Sequence, residues 1–310
     1  MAATAGRHHR LRLAVVLVPA LLACPSSPYP EQKVDFTPRE RPAASVEAPP
    51  APTLRFSVAA MLSPQGSLAA YSRLFELMGK RLGYQVEFVQ RKTYREVNDL
   101  LLAGQVDAAL VCTGGYLELM RRAPEKIDLL AVPVVGGSTT YHSYVIVPAS
   151  SGAKAFADLA GKRFAFTDEL SLTGRAYGVY WLKAHQRDPE RFFGSTQFTQ
   201  SHDWSVEAVA KGLVDGACVD SLIYDEMVKV RPEIGKATRI IDRSQPFGSP
   251  PVVAATSIAP ERRQAIRETL LGMARDPEGR RALEAIGFDG FVAIGATHYD
   301  GARRVAEATW

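Results

Sequence analysis

The chain has 310 residues, 46% hydrophobic and 23% charged, with 3 Cys and a formal net charge of +4. That composition excludes a disulfide-stapled miniprotein and a disordered tail, and the length suffices for two lobes. No run of 18 or more apolar residues occurs, which excludes a protein built on several membrane-spanning helices.

The first element is a leader. Arg7, Arg10 and Arg12 precede an apolar run from Leu13 to Ala23, too short to span a bilayer, and small Ala23 before Cys24 suits cleavage. Residues 1–23 are read as a signal peptide. Their removal takes away three arginines and leaves +1 of the original +4, so no polybasic surface argues for nucleic acid. Residues 24–53 carry eight prolines from Pro25 to Pro52 and no periodicity, which predicts an extended, solvated tether.

From Leu54 onward apolar runs alternate with amphipathic segments, the pattern of a layered α/β protein. Leu54–Ala60 reads as a strand. Ser67–Leu82 places Leu68, Tyr71, Leu74, Phe75, Met78 and Leu82 at helical spacing, and Gly83 is a natural stop. Val86–Val89 follows as a strand. Thr93-Tyr94-Arg95-Glu96 has the form of a capping box and predicts a helix to about Ala103, before a buried strand over Val106–Cys112.

A second copy of this logic places strands at Lys162–Phe166 and Gly216–Val219, with helices from Thr173 to about Gln186 and over Trp204–Lys211. Extended stretches at Leu129–Val135, Tyr141–Val147 and Val252–Ala255 suggest crossings between two lobes. Helices over Glu261–Ala274 and Pro277–Ala285 then return to the first. The expected lobes are residues 54–143 plus 250–310, and residues 144–249.

Candidate chemistry sits at the ends of these elements, where open α/β sheets gather ligands. Ser171-Leu172-Thr173-Gly174 lies between a strand and a helix. Free amides and the positive end of the helix dipole there favour an anion, to which Ser171 and Thr173 add hydroxyl donors. The plainer alternative is that one of them caps the helix. His202 precedes another helix and can donate to an anion, while Asp203 reads as a cap. Asp220, before Ser221, either caps the helix Ser221–Val230 or accepts from a protonated ligand. A nucleophilic triad of Ser171, His202 and Asp220 lacks the Gly-x-Ser-x-Gly elbow. Cys112, His142, His202 and Cys218 lack metal-ligand spacing. Neither enzyme nor metalloprotein is expected, and no cofactor.

Several segments together resemble a known family. They are Gly104-Gln105-Val106-Asp107-Ala108-Ala109 running into Cys112-Thr113-Gly114-Gly115-Tyr116, then Tyr141 to Val147, and Asp158 to Asp168. Ser171-Leu172-Thr173-Gly174, Ser201-His202-Asp203 and Asp215 to Ser221 complete the set. Over about residues 54–291 the chain resembles the periplasmic solute-binding proteins of phosphate, phosphite and phosphonate ABC importers, with a two-lobed type II binding-protein fold. The resemblance implies that Ser171 and Thr173 hold an oxyanion, that Tyr116 lines the first lobe and that His202 completes the cage. Thr113, Cys112, Tyr141, Asp220 and Ser221 join the candidate ligand-binding set, with Gly174 and the Leu172 amide. Leu172 is a departure, since the family often has a hydroxyl there. Leu21-Leu22-Ala23-Cys24 likewise resembles a bacterial lipobox, implying lipidation at Cys24 and a protein anchored at the periplasmic or cell-surface face of a bacterial membrane. The implied partners are a small oxyanion and an ABC permease, with the protein a monomer.

The alternative use is as a sensor that presents its loaded form to a membrane histidine kinase. Cys112 carries one version, in which a soft thiolate meets a thiophilic oxyanion such as arsenite. A Cys112–Cys218 disulfide is not expected, because it would staple the lobes together.

Overall fold

The computed structural model describes residues 51–310. The leader, Cys24 and nearly all of the tether lie outside the described residues.

Two separate mixed sheets form the scaffold. The first runs Gly290–Val292, Ile127–Val134, Val252–Ala255, Ala108–Leu110, Thr53–Val58, Gln85–Val89 across its width. Its Thr53–Val58, Gln85–Val89 and Ala108–Leu110 strands are parallel, and Val252–Ala255 is antiparallel to its neighbours. The second runs Thr238–Arg243, Ser143–Pro148, Gly216–Asp220, Arg163–Phe166, Ser195–Phe198. Helices cover both sheets, so the protein is a two-lobed α/β fold.

Local chemistry explains the element ends. Thr93 accepts from the Glu96 amide while the Glu96 carboxylate accepts from the Thr93 amide, a complete capping box at the start of Tyr94–Leu102. The helix Pro64–Leu82 opens on a Ser63 cap and stops at Gly83, whose φ of 69° is the left-handed conformation that glycine adopts without strain.

Several elements differ from the sequence expectation. Tyr141–Val147 is not one strand. Thr140–Tyr141 pairs with Phe247–Gly248 in a two-residue ladder, and a separate strand in the second sheet starts at Ser143. His142 lies between the two strands. Its amide donates to Ser221 Oγ at 2.9 Å, and Ser221 returns its own amide to the His142 carbonyl at 3.0 Å. Val252–Ala255 is a central strand of the first sheet and not a crossing itself.

The helix expected from Thr173 begins instead as one π turn, Leu172–Ala176, followed by an α-helix over Tyr177–Ala184. The strand expected over Val106–Cys112 pairs only at Ala108–Leu110, and a helix runs from Thr113 to Arg122. A last helix, Asp300–Glu307, packs against Thr113–Arg122 and against the Leu172–Ala184 segment of the second lobe.

The candidate anion site

The lobes meet at close range. A Cβ on Gly114 would lie 2.0 Å from the Leu170 carbonyl oxygen and 2.9 Å from the Leu172 nitrogen, so only glycine permits this approach. Several hydrogen bonds cross the junction. The His202 amide donates to the Met61 carbonyl at 3.0 Å, the Tyr94 amide donates to Asp168 Oδ2 at 3.2 Å, and the Ser63 amide donates to the Asp203 carboxylate at 3.0 and 3.2 Å. Asp203, read from the sequence as a cap, is thus a latch between lobes.

Hydroxyls without partners collect at this junction. The side-chain oxygens of Thr173, Tyr94 and Tyr141 are fully buried and make no hydrogen bond, as is that of Ser249. Buried polar groups are almost always satisfied, so such a set marks where a ligand's acceptors belong. Burial pushes the Tyr141 pKa well up, opposed more weakly by the neighbouring Thr113 and Thr173 hydroxyls. Burial does the same to Tyr94, whose titratable neighbours are Cys112, Asp168, Asp220 and Tyr141. Tyr94 was not among the residues singled out from the sequence. Its signal was its place one residue past the capping threonine, at the first position of a helix.

The other expected residues divide by what their atoms already do. Ser171 Oγ accepts from the Gly174 amide at 2.9 Å, so Ser171 does cap its helix, with its hydroxyl proton left to donate. That same bond occupies the Gly174 amide. The Leu172 side chain is buried in the core, while its amide points at Cys112. Thr113 donates to the Gly248 carbonyl at 2.9 Å, and Ser221 braces His142; both hold the connecting ladder. Tyr116 is buried in the core. Its ring stacks obliquely on Tyr299 at 4.7 Å, held there by the C-terminal segment.

Cys112 lies at the heart of the site. The amides of Leu172, Gly114 and Gly115 point at its sulfur, but burial dominates and pushes the thiol up to about 11. In this closed state it is a neutral thiol, not the thiolate expected from the sequence, because desolvation penalises the charged form more than the amides reward it. Cys218 is buried in the second lobe and both cysteines are free.

Burial shifts both Asp220 and His202. Asp220 Oδ1 accepts from the amides of Leu222 and Ile223, at 2.7 and 3.4 Å, and so caps Ser221–Val230. Burial nevertheless raises its carboxyl to about 7, with those amides pulling the other way. Burial lowers His202 to about 3. Among the described residues no group of three or more metal-ligating side chains occurs.

Two α/β lobes, a ladder joining them and a junction that buries unpaired hydroxyls are the architecture of a solute-binding protein. The chain belongs to the ABC transporter phosphonate periplasmic substrate-binding family, which it matches over residues 56–299. It is 26% identical to the phosphate-import protein PhnD of Mycolicibacterium smegmatis over 263 residues, 78% of this chain and 81% of that protein. Its fold is similar to the binding-protein component of an ABC phosphonate transporter from Pseudomonas aeruginosa, with a TM-score of 0.77 and 21% identity, covering 82% of this chain and 85% of that one. PhnD1 from Prochlorococcus marinus in complex with methylphosphonate gives 0.75 and 14%, covering 82% and 97%.

Proposed function

We propose that the protein captures a small tetrahedral oxyanion of the phosphonate, phosphate or phosphite class outside the cytoplasm and delivers it to an ABC permease. Residues 54–143 with 250–310, and residues 144–249, act as the two lobes. They close over the ligand by bending at the ladder of Thr140–Tyr141 and Phe247–Gly248. The observation that carries this reading is the set of buried, partnerless hydroxyls of Thr173, Tyr94 and Tyr141. With the Ser171 hydroxyl proton, the amides near Leu172 and a neutral His202, they supply donors without a formal cation. Family membership supports transport and not catalysis, and the M. smegmatis relative is named for phosphate import.

Asp220 adds a condition on the ligand's charge. Raised to about 7, its carboxyl donates to an oxyanion when protonated and, once ionised at higher pH, accepts only from a ligand that keeps a P–OH proton. Lipid on Cys24 would hold the protein at the membrane; mass spectrometry of the mature chain checks it.

The test is a thermal-shift screen across phosphate, phosphite, methylphosphonate, arsenate and arsenite, followed by calorimetry on the hits. A tight ligand stabilises the native state by mass action. No shift with any of the phosphorus oxyanions would sink the proposal.

A second reading is a sensor of arsenite that signals to a membrane kinase, favoured by Cys112 lying where amides from both lobes converge. Arsenite would exchange a hydroxyl for the Cys112 sulfur and release water. Arsenite binding that survives Cys112→Ser intact removes this reading.

A further inference from the structure

Beside Asp220 the interlobe junction opens into a cavity of about 250 Å³. Its walls come from both lobes: Met61 and Tyr71 from one side, Leu222, Ile223 and Met227 from the helix after Asp220, and Phe288 from the first lobe's C-terminal part. Of its lining residues only Asp220 and Glu226 are charged, and both are acidic. Glu226 is paired with Lys229 at 3.1 Å, and Asp220 Oδ1 is engaged by the Leu222 and Ile223 amides. Asp220 is also a charged neighbour of Tyr94, Tyr141 and Cys112, so one residue belongs both to the cavity wall and to the anion site.

We propose that this cavity receives an apolar substituent carried by the ligand's phosphorus, making the preferred substrate an alkyl- or arylphosphonate with about six carbons or slightly more. The inference rests on the oxyanion reading above and names the substrate class of that site. Three observations carry it. The cavity adjoins the anion focus through Asp220. Its walls are Met, Leu, Ile, Tyr and Phe side chains contributed by both lobes, so a substituent lodged there adds contacts only when the lobes close. Its size is also sufficient, since an apolar protein cavity of about 150 Å³ already accepts benzene. Bare phosphate would leave the space unfilled. An ammonium-bearing substituent would lose its hydration against mostly apolar walls, with Asp220 Oδ2 as the one inner carboxylate oxygen not held by an amide.

Calorimetry on the full-length chain with phosphate and with methyl-, butyl-, hexyl-, phenyl- and 2-aminoethylphosphonate tests this. Affinity should rise by about three- to fourfold for each added methylene that becomes buried, and hexyl- and phenylphosphonate should outbind 2-aminoethylphosphonate. Ile223→Trp, which narrows the cavity, should weaken hexylphosphonate several-fold while leaving methylphosphonate within about twofold. Measurable methylphosphonate binding with affinity flat or falling from methyl to hexyl overturns the substituent proposal alone. Absence of binding by phosphate and by every phosphonate overturns the oxyanion reading with it. The chain-length series on the unaltered protein decides the matter even where Ile223→Trp perturbs folding.

Discussion

The backbone amide of Asp220 donates to His202 Nδ1 at 3.0 Å. An imidazole nitrogen that accepts carries no proton, so in the neutral ring the proton resides on Nε2. Thr167 Oγ1 is also within 3.1 Å of Nδ1, while Nε2 lies 3.4 Å from Ser171 Oγ. The ring therefore presents its one N–H toward the Ser171 side of the site, and burial keeps it uncharged down to a pKa of about 3.

His202→Gln keeps a donor but loses this fixed geometry, and His202→Ala removes the donor. The alanine variant should weaken oxyanion binding by about 1.5 to 3 kcal/mol, the range for hydrogen bonds to charged partners, with glutamine intermediate. Calorimetry with the cognate anion at pH 7 and pH 8 is the check; both pH values should give the same loss, because the ring is neutral at each.

Removing the partnerless hydroxyls should cost affinity without costing stability. Thr173→Val and Tyr94→Phe are each expected to weaken the ligand by about 1.5 to 3 kcal/mol, yet to leave the ligand-free melting temperature unchanged or higher, since a buried unsatisfied group is lost. Tyr116→Phe should leave affinity unaltered, given its packing on Tyr299. Equal losses at Tyr94 and Tyr116 would contradict the placement of the site.

Closure depends on Gly114. Gly114→Ala puts a methyl 2.0 Å from the Leu170 oxygen across the junction. Each lobe should still fold, but the closed state should be blocked, with a fall in affinity of at least about tenfold, the equivalent of 1.4 kcal/mol. Small-angle scattering would show the variant remaining extended with ligand present.

Asp220 gives stability a pH dependence of known sign. Its carboxyl is raised from 3.8 to about 7, so between those values the folded protein holds a proton that the unfolded chain has released. Stability from this group is therefore full below about 4 and is lost as pH rises to 7. His202, lowered from 6.5 to about 3, acts in the opposite sense and removes stability as pH falls through that window. Comparing melting temperatures of the wild type and Asp220→Asn isolates the carboxyl: the variant should gain relative to the wild type from pH 4 to 7. A constant difference would refute the buried-carboxyl assignment.

Cys112 should resist alkylation in the loaded, closed protein, because its thiol is buried and pushed up to about 11. Iodoacetamide labelling followed by peptide mass spectrometry should show slower modification with ligand than without it. Equal rates would mean that the sulfur is reached without the lobes opening.

The α/β alternation, the Thr93 capping box, the Gly83 stop and the helix starts at Ser171 and His202 were legible in the chain. Each depends on residues a few positions apart, and periodicity and capping are local physics. The tertiary structure decided which side chains share the cleft. Tyr94 and Tyr116 are both buried aromatics near helix starts; only the tertiary structure sets one among Asp168, Cys112 and Asp220 and the other against Tyr299. The splitting of Tyr141–Val147 at His142 likewise depends on Ser221 and Phe247, 79 residues on in one case and over a hundred in the other. Asp203 became a latch because Ser63 lies opposite it, 140 residues earlier. Such contacts form only when two lobes meet, and no local pattern encodes where two distant surfaces will touch.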